Sequence, residues 1–292
     1  MDLSLTDFIL GKAFIDELPE GAKRAIQIAS YNPQLVNTLE ETASYILTMI
    51  EEVDQMIIIT GFPYESGFET DGPIGALNLA EALMSLNKKV QLSAEVELIS
   101  IFQKIISLPN WEGRLAFTPI ETVAALEDAL LITVERPGEN AQGRSHSMKG
   151  INISPKVYPI EQLFQFIKPY AWVGIGDGGN ELGLGQFKDA VEEKIPFGKE
   201  CQCGCGGGIA VEKKADKTVL ATTSNFGALG LALEITKQAQ SNWSYSIAKD
   251  SQILKSMNAL GIVDGVTGEE GTVDSISPEL NSKMINQLIK KY

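Results

Sequence analysis

Four short apolar runs in this chain each end in a glycine-rich or polar loop, and no other feature constrains its fold as tightly. MIIIT runs into GFPYESGFETDGPIGA, LLITV into ERPGENAQGRSHSMKG, AWVGI into GDGGNELGLG, and TVLATT into SNFGA. KVQLSA and RLAFT are further candidate strands. Helical spacing fills the stretches between: PIGALNLAEALMSLN, VELISIFQKII, PIETVAALEDA, GALGLALEITKQA and SPELNSKMINQLIKK. Strands alternating with helices predict βαβ units, hence an α/β fold with a mainly parallel sheet flanked by helices in a Rossmann-like three-layer arrangement. The carboxyl ends of such strands share one edge, and ligands bind in the crevice outside it. Loops far apart in sequence are therefore expected to meet in one pocket.

The N-terminal segment reads differently. IDELPEGAKRAIQIA and LEETASYILTMIEE carry apolar positions at helical spacing, so residues 1–54 are expected to form a helical segment packed on a core made by residues 55–292. No apolar run approaches the roughly 20 residues that span a bilayer. MDLSLTDFILGKAF has neither the basic start nor the cleavage pattern of a signal peptide, so the expected compartment is the cytoplasm. A net charge of -14 argues against nucleic acid as the main partner, because a phosphate backbone is bound by neutralising it with Lys and Arg. The expected partner is a small molecule, an amino acid or another carboxylate, with no membrane partner and with homo-oligomerisation left open.

The densest local signal is the run Gly174 to Gly185, with six glycines in twelve residues directly after an apolar strand. Gly178 and Gly179 would let backbone amides approach a ligand. Asp177, Asn180 and Glu181 supply oxygen donors suited to a hard cation such as Mg²⁺ or Mn²⁺. The structural alternative is a tight strand-to-helix turn. At the end of LLITV, Glu135 is a candidate general base or metal ligand, and Arg136 a candidate bidentate clamp for a carboxylate. Arg144, His146 and Lys149 make the rest of that loop locally cationic, although His146, the single histidine, reads as an incidental loop residue. Asp71 and Gly72 lie in a turn before a helix, of the kind that binds anions, with Glu69 nearby as a further metal or base candidate. The turn matches neither GxGxxG nor GxxxxGKS, so no nucleotide cofactor is expected. Cys201, Cys203 and Cys205 fall in one run, CQCGCGGG. They are not spread as a disulfide framework would be, which fits a reducing compartment. They could bind a soft metal if a fourth ligand such as His146 came from elsewhere; otherwise the run is a flexible turn.

Taken in order, TDGPIGA (residues 70–76), VERPG with MKGINIS (134–154), GIGDGGNELGLG (174–185), TSNFGALGL (223–231) and VDGVTG with TVD (263–274) resemble the C-terminal domain of D-glutamate cyclase and its stand-alone relatives. The likeness covers most of the chain from about residue 55. The chain departs from the family pattern at residues 145–149, where an aromatic-rich stretch and an Arg are usual, and at Phe226, where a Trp is usual. The Cys-Gly run has no counterpart in that pattern, and the mammalian-type enzyme carries a large additional N-terminal region.

The resemblance implies a hydro-lyase that converts D-glutamate to 5-oxo-D-proline and water, by attack of the α-amine on the γ-carboxyl. It implies a divalent cation held by Asp177 and Glu181 with Asp71 or Asn180, Arg136 on the α-carboxylate, Glu135 taking the amine proton, and Ser224 and Asn225 orienting the substrate. Two other readings stand beside it. One is a metal-dependent phosphatase or other hydrolase, because GDGGNE is superficially similar to an acidic GDGxxD segment; the other is a non-catalytic protein that binds an amino acid or lactam.

Overall fold

Parallel strands covered on both faces read as near-continuous apolar runs, and MIIIT is one: Met56, Ile57, Ile58 and Ile59 are all fully buried. In the computed structural model, which describes residues 3–64, 67–105, 115–123, 126–165 and 168–292, they belong to strand β1, Gln55–Thr60. With β4 (Lys89–Ala94), β5 (Leu115–Pro119), β6 (Ala129–Val134), β7 (Ala171–Gly176) and β8 (Lys217–Leu220) it forms a six-stranded sheet in the order β5-β4-β1-β6-β7-β8, parallel throughout. β2 (Pro63–Tyr64) and β3 (Gly67–Phe68) make a small antiparallel pair in the loop after β1.

The two faces alternate with period 2. Met56, Ile58, Leu130, Ile132, Val173 and Ile175 point to one core, filled from α3 (Leu39–Met49), α4 (Pro73–Ser85), α5 (Val96–Ile105), α7 (Ser224–Gln238), α8 (Ile247–Asn258) and α9 (Pro278–Ile289). Ile57, Ile59, Leu131 and Trp172 point to the other face, where Ile120, Leu126, Ile160 and Phe164 of short 3-10 turns cover them. α2 (Arg24–Tyr31) and α6 (Lys188–Lys194) pack together in a third cluster with Leu184, Phe187 and Leu220, while α1 (Leu5–Ile9) lies against α7.

The expected α/β architecture is therefore present. PIETVAALEDA is not one helix, for its described part forms two 3-10 turns, Ile120–Thr122 and Leu126–Asp128. TVLATT pairs only as far as Leu220, after which Thr222 N–H donates to Ile9 carbonyl O at 2.8 Å and Thr223 caps α7. Residues 1–2, 65–66, 106, 114 and 124–125, which belonged to expected elements or loops, lie outside the described residues. Among the described residues no helix is long and apolar enough to cross a membrane.

From β1 the chain runs outward through β4 and β5, then returns to β6 on the other side of β1. The crevice at the carboxyl ends of β1 and β6 is therefore a topological switch point, where open α/β sheets bind ligands.

Candidate active site

The loops after β1 and β6 meet at that switch point, and the first of them is tied to the start of α7, after β8, by a pair of reciprocal helix caps. Asp71 Oδ2 and Oδ1 accept the N–H groups of Ser224 at 2.7 Å and Asn225 at 2.8 Å, which begin α7. Asn225 Oδ1 accepts the N–H groups of Gly72 at 3.0 Å and Gly75 at 2.7 Å, at the start of α4, and its amide donates to Thr70 carbonyl O. Each helix thus satisfies donors at the other's N-terminus. Gly72 must be glycine twice over. Its φ is 95°, and a Cβ there would stand 2.5 Å from Glu135 Cβ.

Glu135 follows directly on β6. Its N–H extends the ladder to Ile175 carbonyl O at 3.1 Å, and its own φ of 45° turns the chain away from the sheet, a conformation uncommon for a residue with a side chain. Its buried carboxylate accepts the Ser224 hydroxyl at 2.6 Å.

Around it stand Glu69, Asp71, Asp177, Glu181 and Asp274, all buried. Arg24 Nη2 donates to Asp177 Oδ2 at 2.9 Å and to Asp274 Oδ2 at 2.8 Å. Burial opposes the Arg24 charge, but those two carboxylates outweigh it and hold the guanidinium ionised. The acids are pushed the other way. Burial, then neighbouring carboxylates, lifts Glu69, Glu135 and Asp274 well above the usual range. Burial and Asp274 raise Asp71 to about 7, with the α7 amides pulling it down; burial lifts Asp177 to about 6 against the pull of Arg24.

A cavity of about 410 Å³ opens onto this cluster. Glu69, Glu135, Asp177, Asp274 and Arg24 line its floor, apolar Phe62, Met148 and Val266 its walls, and the exposed Lys149 and Lys156 its rim. A second cavity, of about 250 Å³ among α7, α8 and α9, has Asp250 and Lys255 as its charged lining. The Asp250 carboxylate there is taken up by Asn78 and Tyr245, each at 2.8 Å.

Several residues singled out from the sequence do other work. Arg136 does not reach the pocket. Its fully buried guanidinium donates to Glu95 Oε2 at 2.6 Å and to Tyr158 carbonyl O at 3.0 Å, fastening the β6 loop to the segments around it. Arg144 is exposed and lines a separate depression with Pro137 and Glu139. The N–H groups of Gly178 and Gly179 donate to Glu181 at 2.9 and 2.7 Å, so the glycine run closes on its own carboxylate. Asn180 does face the cavity; its amide donates to His146 carbonyl O at 2.9 Å, and its Oδ1 is buried without a partner among the described residues.

Arg24 and Asp274 escaped the reading of the sequence. Arg24 sits four residues before buried Ile28 on α2, so a charge on an apolar helical face was the available signal. Asp274, like Glu135, has a left-handed φ, 50°, which the sequence does not announce.

Two carboxylate triads could hold a cation, with one oxygen from each residue within 4.8 Å of the others: Asp71 with Asp177 and Asp274, and Glu135 with Asp177 and Glu181. Hard oxygen donors and an excess of buried negative charge fit Mg²⁺ or Mn²⁺.

Comparison with known proteins gives this geometry its relatives. The mitochondrial D-glutamate cyclase of Homo sapiens is 34% identical over 228 residues, a match covering 68% of this chain. It covers 34% of the human protein, so the chain spans about a third of that relative's length. A family model described as D-glutamate cyclase-like, C-terminal, matches residues 22–289. That span takes in the whole pocket floor from Arg24 to Asp274, and the chain belongs to the D-glutamate cyclase-like C-terminal family.

Proposed function

We propose that the chain is a hydro-lyase that closes D-glutamate to 5-oxo-D-proline with release of water. The observation that carries this reading is the polarity of the cavity, an acidic floor holding one guanidinium beneath a rim of lysines. In the cyclisation the α-nitrogen bonds to the carbon of the γ-carboxyl group, so both must lie together while the α-carboxylate points away. The acidic floor suits the ammonium and Lys149 at the rim suits the α-carboxylate, the role that the family resemblance implied for Arg136.

The reaction asks for two protons to move from the ammonium nitrogen to the departing oxygen, and for charge to be removed from the γ-carboxylate. Glu135, with its raised affinity for protons, would carry them one at a time, the first from the ammonium before attack and the second from the nitrogen of the tetrahedral adduct, delivering both to the oxygen that leaves as water. Ser224 orients its carboxylate. Arg24 faces the γ-carboxylate. A divalent cation at Asp71, Asp177 and Asp274 would supply Lewis-acid neutralisation of the γ-carboxylate. A phosphatase reading would need an Asp nucleophile in a DxD motif after the first strand, and the loop after β1 offers Glu69-Thr70-Asp71 instead.

The test is incubation of the purified chain with D- and L-glutamate, with and without Mg²⁺ or Mn²⁺, following 5-oxoproline by NMR. Glu135→Gln should lower turnover by roughly 10²-fold or more with the fold retained. Tight binding of D-glutamate or 5-oxoproline without interconversion would replace the enzyme with a binding protein.

A further inference from the structure

Away from the pocket floor, His146, Cys201, Cys203 and Cys205 bring one imidazole nitrogen and three sulfurs within 4.8 Å of one another. Cys201 Sγ lies 3.1 Å from Cys203 Sγ and 3.5 Å from Cys205 Sγ. His146 Nε2 lies 3.3 Å from Cys203 Sγ and 4.0 Å from Cys205 Sγ. Bonds of about 2.3 Å to sulfur and about 2.0 Å to nitrogen give a tetrahedron with edges of about 3.5 to 3.8 Å, and the observed separations fall on either side of that range. We propose that these four side chains form a closed, structural Zn²⁺ site that fixes one wall of the pocket.

The backbone is shaped for it. Alternate residues of an extended chain would hold successive sulfurs well apart. Here Gly204 (φ 72°) and Gly206 (φ 84°) curl the chain, and the space where a Cβ would stand is open at both, so the backbone turn is what calls for glycine. Cys201 N–H donates to Gly207 carbonyl O at 2.9 Å and closes the coil. Asn140 Nδ2 donates to Gly208 carbonyl O at 2.7 Å and lies 3.6 Å from Cys205 Sγ, an outer partner of the kind that orients metal ligands.

Thiolates with a neutral imidazole select a softer ion than Mg²⁺ or Mn²⁺. Three thiols leave one over from any disulfide. An iron–sulfur cluster divides its protein ligands among two or more irons, which four donors gathered this closely around one point cannot satisfy. With four protein ligands the site has no open position, so it binds and holds rather than catalyses.

Gln202 shows what it holds. Its N–H donates to Gly150 carbonyl O and its side-chain amide to Lys149 carbonyl O, both at 2.9 Å. With His146 as a ligand, the metal pins the strip that brings Ser147, Met148 and Lys149 to the cavity. The metal site stands on its own geometry; its effect on substrate rests on the proposed function.

After dialysis against metal-free buffer, the wild-type chain should retain about one equivalent of zinc. Its cobalt form should show the strong visible bands of tetrahedral Co²⁺ with thiolate charge transfer. Cys203→Ser, at an exposed position, and His146→Ala should each lose most of the zinc and those bands while keeping the circular dichroism of the fold. If the variants fail to fold, the wild-type cobalt spectrum and protection of the three thiols by Zn²⁺ decide alone. Thiols that react equally fast with and without Zn²⁺, cobalt without charge transfer, or zinc retained by Cys203→Ser would overturn the site. Loss of zinc should raise KM for D-glutamate several-fold with a smaller change in kcat. Zinc retention without turnover sinks the proposed function and spares the site, and turnover with an unchanged KM in a zinc-free chain spares the proposed function and sinks the role of the metal in fixing the pocket wall.

Discussion

Ser224 and Glu135 make the shortest contact on the pocket floor, a hydroxyl donated at 2.6 Å to a carboxylate in a left-handed backbone turn. A hydroxyl donor favours the ionised form, so Ser224→Ala should raise the Glu135 pKa further. The acidic limb of the rate profile should move to higher pH, with activity recovered there. A uniform loss at all pH values would make Ser224 merely structural. Away from the site, Glu161 accepts Glu139 N–H at 2.5 Å, and burial raises its carboxyl to about 8. The folded state therefore keeps a proton that the unfolded chain releases near 4.5, and this costs stability progressively as pH rises from about 4.5 to about 8. Glu161→Gln preserves the acceptor and removes the titration. Its stability relative to wild type should grow across that window, by up to about 1.4 kcal/mol for each pH unit crossed, and urea unfolding at pH 5 and pH 8 measures it. Parallel changes in the two proteins would refute it. At this scale the sequence was an uneven guide. The sequence put Glu135 and Asp177 at the pocket, where both stand, because a charged pair at a strand end and an acid among glycines have no packing role. Arg136, next along the chain, looked equally functional, and only the fold reveals Glu95 waiting for it.

Elements were more legible than contacts, because periodicity is local and contacts are not. MIIIT, LLITV and AWVGI are mostly apolar, are buried at every position and became the central strands. PIETVAALEDA had helical spacing but follows β5 with Pro119, and the sheet face above it accepts only the short turns carrying Ile120 and Leu126. α6 and α8 were not anticipated, although Ser246 before α8 is an N-cap whose side chain accepts Lys249 N–H. The coupling of α4 to α7 through Asp71 and Asn225 was invisible in sequence, since its partners lie 153 and 150 residues apart. Asn225→Ala leaves the N–H groups of Gly72 and Gly75 without their acceptor, and a lost cap costs about 1 to 2 kcal/mol. Both helices should loosen at their first turns together. Hydrogen exchange should therefore quicken at the start of α7 as well as α4, and a change confined to α4, whose donors alone lose their acceptor, would show that the caps act independently.

Over the whole molecule, the pocket depends on a residue from the N-terminal helices, for Arg24 crosses to the carboxyl edge of the sheet and pairs with two acids of the floor. The acids bind protons more tightly folded than unfolded, Asp177 at about 6 and Asp71 at about 7 against ordinary values near 3.8. Between those limits the folded state holds more protons, so the cluster loses stability as pH rises from about 4 to about 7. Arg24 and any bound divalent cation act against that loss. Arg24→Met keeps the bulk of the side chain and removes the charge, leaving Asp177 and Asp274 facing each other. Breaking a buried pair in this way costs about 3 to 5 kcal/mol when both acids are ionised, and much less once they carry protons. The drop in Tm should accordingly be large at pH 7 and small at pH 4.5, and Mg²⁺ or Mn²⁺ at about a hundred times its Kd should return about 2.7 kcal/mol at neutral pH. Thermal unfolding of both proteins at the two pH values, with and without the cation, tests each part, and an equal Tm drop at both pH values would mean that Arg24 acts through packing alone.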